Sequence, residues 1–203
     1  MADLVTLQQY KDFAGLQGVQ NDARINTIID QVSQLVKSYC SSTIIDYAAT
    51  NKTEFFTIKD DLVDTIILEE SPIIDVVSVE ERTGQADAYV TLITENSNNS
   101  GKYEYVVNDD SDSITRTSGS GNKSWPKGPK SVKVVYKAGY VSTPDDLKLA
   151  VFDLIKYYLK DERKERMSIA GATVENAVSS SLTGNIGFPD HIKRILDMYK
   201  IYS

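Results

Sequence analysis

The chain has 203 residues, 41% of them apolar and 25% charged, with a formal net charge of −7. At that length folding removes roughly 70% of the unfolded surface from water, so one large domain or two small ones can hold a core without covalent staples. A single cysteine, Cys40, excludes an internal disulfide and every CxxC metal spacing and fits a reducing compartment. The negative total argues against general nucleic-acid affinity, and no stretch approaches the ~18 apolar residues of a membrane span.

The charge is unevenly placed. Met1–Asp110 holds 7 Lys/Arg against 19 Asp/Glu, a balance of −12, whereas Ser111–Ser203 holds 15 against 10, a balance of +5. Either copies of the chain meet head to side, or the two charge types mix on one folded surface. The opening Met1-Ala2-Asp3-Leu4 has no basic region or apolar run, so no signal peptide is expected.

Thr6-Leu7-Gln8-Gln9 has the form of a capping box, which predicts a short helix to Ala14 stopped by Gly15. Ile25, Ile28, Ile29, Val32, Leu35, Val36 and Tyr39 recur at three- and four-residue steps. They predict a second helix, capped at Asn21 or Asp22 and ending near Cys40. From Thr53 to Tyr140 the signal is β. Strands are expected at Glu54–Ile58, Asp64–Glu69, Asp75–Arg82, Tyr89–Thr94, Lys102–Val107, Ser113–Thr117 and Val132–Lys137, separated by Asn, Gly, Ser and Asp clusters.

Helix returns with Thr143-Pro144-Asp145-Asp146, read as N-cap, N1 proline and an acidic first turn. Leu147, Val151, Leu154 and Tyr158 continue an apolar stripe, and the helix is expected to reach Arg166, about 33 Å at 1.5 Å per residue. The charged run from Lys160 to Arg166 has almost no apolar face; it suits a solvated end or a charged contact with a neighbour. Ser168–Gly187 reads as a mobile arm or long loop, and a short helix then begins at Phe188-Pro189-Asp190 with Ile192, Ile195, Leu196 and Tyr199 on its apolar face.

Chemistry is sparse. His191 is the one histidine, in the first turn of a short helix, and no Gly-x-Ser-x-Gly elbow accompanies it. Cys40 has no sequence partner to support a thiolate. Gly119–Ser124 fails the phosphate-loop pattern, because Asn122 stands directly before Lys123 where a glycine belongs. Asn108–Asp112 lacks the glycine and distal glutamate of a calcium loop and reads as an acidic turn. No catalytic, cofactor or metal residues are assigned. Between Arg116 and Lys137 lie six basic residues and Trp125, with no acid from Ser113 to Pro144. One aromatic is too few for a base-stacking platform. The run could touch a nucleic-acid backbone, but subunit contact or solvent is the preferred reading; Lys123, Lys127 and Lys130 here, with Arg163 and Arg166 of the later charged run, are the contact candidates.

Three segments together carry a resemblance: the N-terminal helix pair ending in Ser38-Tyr39-Cys40; Tyr136-Lys137-Ala138-Gly139-Tyr140 followed by Pro144, Leu147 and a helix; and the arm leading into Phe188–Leu196. In this order they resemble the head–tail connector (adaptor, or head-completion) proteins of tailed bacteriophages. The matched segments cover about half the chain, and typical members are shorter, with a smaller β part.

The resemblance implies an α+β fold in which a helical core, 1–52 and 141–203, carries a large antiparallel β insertion, 53–140. It implies a non-enzymatic virion protein made in the bacterial cytoplasm, forming a dodecameric ring below the portal. DNA passes through the ring without specific binding, and a neck or tail protein docks on the far side. No cofactor or membrane is involved, and the channel wall is expected to be acidic. Carried over residue by residue, the portal-docking candidates are Phe188, Ile192, Ile195, Leu196 and Tyr199. Two alternatives stand beside this reading: a monomeric β-rich module that binds a ligand or glycan through exposed aromatics such as Trp125, and, ranked last, an enzyme.

Overall fold

Local chemistry sets the first helix, α1 (Leu7–Ala14). The Thr6 Oγ1 accepts the Gln9 amide at 3.2 Å while the Gln9 side chain accepts the Thr6 amide at 2.8 Å, which satisfies two donors that a helix start leaves open. Gly15, at φ 64°, ends the helix in the left-handed region. The computed structural model describes residues 2–93, 103–118, 121–160, 166–169, 172–175 and 188–201. They fall into two compact units, 1–42 with 142–202, and 43–141. The expected division placed 43–52 with the helices; the contacts of those residues lie with the strands.

The helical unit contains α1, α2 (Asp22–Cys40), α3 (Asp145–Leu159) and α4 (Asp190–Asp197). Ile25, Ile29, Val32, Val36 and Cys40 bury one stripe of α2, and Leu147, Ala150, Val151, Leu154 and Ile155 bury one stripe of α3. Each follows the 3.6-residue period that turns an apolar face inward. The α3 cap falls one residue later than expected. Pro144 is the N-cap, and Thr143 is buried with its hydroxyl donating to the Leu4 carbonyl at 2.6 Å.

The far end of α3 corrects a larger expectation. The helix stops at Leu159, some 22 Å from its start at 1.5 Å per residue, because the charged run that follows has no apolar face to bury. Arg166–Ile169 is a strand, β8, paired antiparallel with β9 (Ala172–Glu175). The start of the expected arm thus holds paired strands, whereas 170–171 and 176–187 lie outside the described residues.

The β unit contains β1 (Lys52–Ile58), β2 (Thr65–Ile67), β3 (Ile73–Glu81), β4 (Val90–Thr91), β5 (Tyr105–Asn108), β6 (Ser113–Arg116) and β7 (Gly128–Ala138), one for each expected strand. Residues 94 and 102, at the edges of two expected strands, lie outside the described residues. The strands form one sheet in the order β1-β7-β3-β4 and a second in the order β2-β6-β5, with all neighbours antiparallel. The result is an α+β protein with a β-rich insertion.

β7 sits between β1 and β3, and its alternation sets the two faces of its sheet. Val132, Val134, Tyr136 and Ala138 point inward and are essentially inaccessible, while Lys133, Val135 and Lys137 point outward. Ile66, Leu68, Val79, Tyr105, Ile114 and Trp125 complete the core of this unit.

Candidate assembly surfaces

Short helix α4 is held by its apolar side. Phe188, Ile192 and Leu196 are at most 3% exposed. The Tyr39 ring meets the Phe188 ring edge-on at 5.1 Å, and the Tyr39 hydroxyl donates to Asp197 at 2.5 Å. The Tyr199 hydroxyl donates to Asp146 at 2.6 Å, and the Ile201 amide donates to the Cys40 carbonyl at 2.9 Å. Of the five portal-docking candidates, Phe188, Ile192 and Leu196 are thus occupied within their own unit, and Ile195 and Tyr199 are half-buried. The outward side carries His191, Arg194 and Met198, the last 67% exposed. Sequence reasoning missed Met198, although it lies six residues after Ile192 and so off the apolar stripe.

The motif residues split by role. Tyr136 is buried; its hydroxyl donates to Glu54 at 2.8 Å and accepts the Glu70 amide at 3.3 Å. Burial pushes the Glu54 carboxyl above its ordinary range, against the lowering effect of its hydrogen bonds from Tyr136 and the Glu69 amide. Burial, with Glu54 beside it, also pushes the Tyr136 hydroxyl up, so it remains a donor. Ala138 is buried, Gly139 has a φ of 93°, and the Tyr140 amide donates to the Ile44 carbonyl at 2.8 Å. Pro144 caps α3 and Leu147 is fully buried. These residues build the units rather than a binding surface.

The basic segment is largely neutralised where it lies. Arg116 is 2% exposed and grips Glu81 through two hydrogen bonds of 2.9 and 2.8 Å, with further bonds to the Glu104 and Thr117 carbonyls. Lys133 pairs with Glu80 at 3.1 Å and Lys127 with Asp61 at 3.4 Å. Trp125, expected as a possible exposed aromatic, is 1% exposed, with the Arg116 guanidinium 5.9 Å from its ring centre.

Lys123 and Lys130 are exposed; Arg163 lies outside the described residues, and Arg166 opens β8. On the outer face of the four-stranded sheet, the Lys130 ammonium stands 5.4 Å from the Phe55 ring centre, and Arg82 and Lys133 stand 4.8 and 5.9 Å from that of Tyr89.

Nothing in this geometry assembles a reaction centre from the residues weighed for one. Burial pushes the Cys40 thiol up to about 12, with Asp197 reinforcing the shift, and the sulfur faces the Leu196 carbonyl at 3.6 Å. The Asn108–Asp112 turn joins β5 to β6, and Asp112 uses its carboxylate to accept Ser71 and Ile73 at 2.6 and 2.9 Å. A polar cleft of about 330 Å³ is lined by Ala2, Asp3, Asp30, Ser33, Gln34 and Lys37, and Lys37 donates to the Ala2 carbonyl at 2.7 Å. Among the described residues no group of three or more His, Cys, Asp or Glu could hold a metal ion, and no helix is long and apolar enough to cross a membrane.

Helices carrying an antiparallel β insertion define an α+β class of protein. Residues 3–202 match the family model for head completion protein, and the chain belongs to that family. No curated protein matches the sequence. Among solved structures, a chain from the neck of an empty gene transfer agent particle, computed with C6 symmetry, superposes with a TM-score of 0.57 at 15% identity, covering 98% of this chain and 91% of that one. A chain from the neck of the native particle, computed with C12 symmetry, gives 0.57 at 12% identity over 100% and 95%. At these identities the likeness is one of fold.

Proposed function

We propose that this chain is a non-enzymatic subunit of the head–tail neck of a tailed phage or phage-like particle. It forms a ring below the portal, joins the DNA-filled head to the tail, and lets DNA pass. The observation that carries this is the family match over residues 3–202. The fold likeness to chains from particle necks, one computed with C12 symmetry, supports the ring and suits a dodecamer. Burial of Trp125 removes the one tryptophan that suited a ligand-binding module.

The portal is met through α4. Phe188, Ile192 and Leu196 anchor the helix, leaving Ile195, Met198 and Tyr199 to face the partner. Light scattering on the purified chain, alone and mixed with its portal, tests both parts. A ring mass or portal binding is expected, with portal binding lost on removal of 187–203 and weakened by Met198→Asp. A chain that stays at 22.6 kDa and ignores the portal at high concentration sinks the reading.

A further inference from the structure

We propose that the outer face of the four-stranded sheet seats the Lys59–Asp64 turn of a second copy of this chain. The proposal rests on the ring reading and adds the contact that would build it.

The seat has an apolar floor and an ordered cationic rim. Phe55 is 45% exposed on the sheet, and its ring centre stands 6.3 Å from that of Tyr89. Around them Lys130 stands over the Phe55 ring, and Arg82 and Lys133 stand over Tyr89. The rim is fixed before any partner arrives. The Tyr89 hydroxyl donates to the Lys130 carbonyl at 2.6 Å, and the Arg82 guanidinium donates to the Lys130, Pro129 and Gln85 carbonyls at 3.0–3.2 Å. Side chains already held in place lose little freedom on binding. Glu80 neutralises part of Lys133 and leaves Arg82 and Lys130 as the leading cations.

The turn is the complementary shape. Leu62 is 84% exposed at its tip, directly after Asp60 and Asp61, which are both exposed; Asp61 meets Lys127 of its own chain at 3.4 Å, a solvent-exposed pair weak enough to exchange for a partner's cation. The Asp60 carboxylate accepts the Leu62 amide at 3.1 Å and so fixes the turn with the leucine outward. A leucine against the Phe55 and Tyr89 rings, with the two carboxylates that precede it on Lys130 and Arg82, has the apolar centre and polar rim of a protein–protein contact. The chain supplies both halves, which selects a second copy over an unrelated protein. Seat and turn are different patches, so the contact is head-to-side, the type that closes rings.

Two measurements on the full chain test this. Leu62→Asp and Lys130→Glu are each expected to bring the assembled mass down toward the 22.6 kDa monomer, with the melting temperature held. Adding Asp61→Lys to Lys130→Glu is expected to restore the mass, because the exchanged charges meet again; a folding defect would not be rescued this way. Mild oxidation of a mixture of Phe55→Cys and Leu62→Cys is expected to give a cross-linked dimer that neither variant gives alone, since Cys40 is buried.

Wild-type mass for Leu62→Asp without cross-linking in the mixture overturns the contact and leaves the ring reading standing. A wild type that remains monomeric with and without portal, and a mixture that does not cross-link, overturn both. Retention of duplex DNA by the wild type, lost in Lys130→Glu without any cross-link, assigns the face to a phosphate backbone and overturns the proposal as well.

Discussion

At Gly139 the backbone adopts a φ of 93°, and a Cβ there would collide with the Ile44 carbonyl oxygen. Strain and collision act together, so Gly139→Ala is expected to cost about 2–4 kcal/mol, read as a lower urea midpoint; a midpoint within error of wild type would show that the loop relaxes freely. The pair Tyr136–Glu54 makes a second prediction. Burial raises the Glu54 carboxyl, so the fold favours its neutral form. The stability this group contributes is full below the ordinary glutamate range and is lost as pH rises through its raised value. Glu54→Gln, neutral throughout, is expected to flatten the fall in stability between acid and neutral pH, as followed by urea titration at a series of pH values. An unchanged slope would place the titrating group elsewhere. The sequence marked Tyr136 and Gly139 as motif members but could not supply these reasons. Glu54 is 82 residues from Tyr136, and the Ile44 carbonyl comes against Gly139 from a distant part of the chain.

Elements were legible where a local rule sufficed. The capping box and Gly15 fix both ends of α1, and apolar spacing fixes α2 to within a residue. Strand existence followed from runs of Val, Ile, Thr and Tyr, but strand length did not. β7 begins four residues earlier than expected because β1 pairs with it as far as Ile58↔Gly128. The pairing of β8 with β9 was missed because the charged run before it invited a continued helix. For α4, burial predicts that Leu196→Ala costs about 2–5 kcal/mol, measurable by thermal or urea denaturation. A cost well under 1 kcal/mol would mean that the helix contributes little to its unit.

At the largest scale, the acidic and basic stretches of the chain meet within the β unit. The basic strand β7 lies between β1 and β3, and Arg116, Lys127 and Lys133 meet Glu81, Asp61 and Glu80, all of them residues of the acidic stretch. Linear charge counts could not show this, because antiparallel pairing brings distant segments together. Family membership was legible, since the segments that carry it keep their order along the chain, whereas the outer face of the four-stranded sheet emerged only once Phe55, Arg82, Tyr89 and Lys130 stood side by side.

The hydrogen bond from the Tyr140 amide to the Ile44 carbonyl has a wider meaning. It fastens the insertion's point of entry to its point of exit, as a clasp closes a necklace. The entropy of closing that span grows only slowly with the number of residues strung on it. Strands and turns between 44 and 140 can therefore lengthen, shorten or be exchanged over evolutionary time while the clasp stays shut. A lineage can refit the insertion for a new neighbour and inherit the helices unaltered.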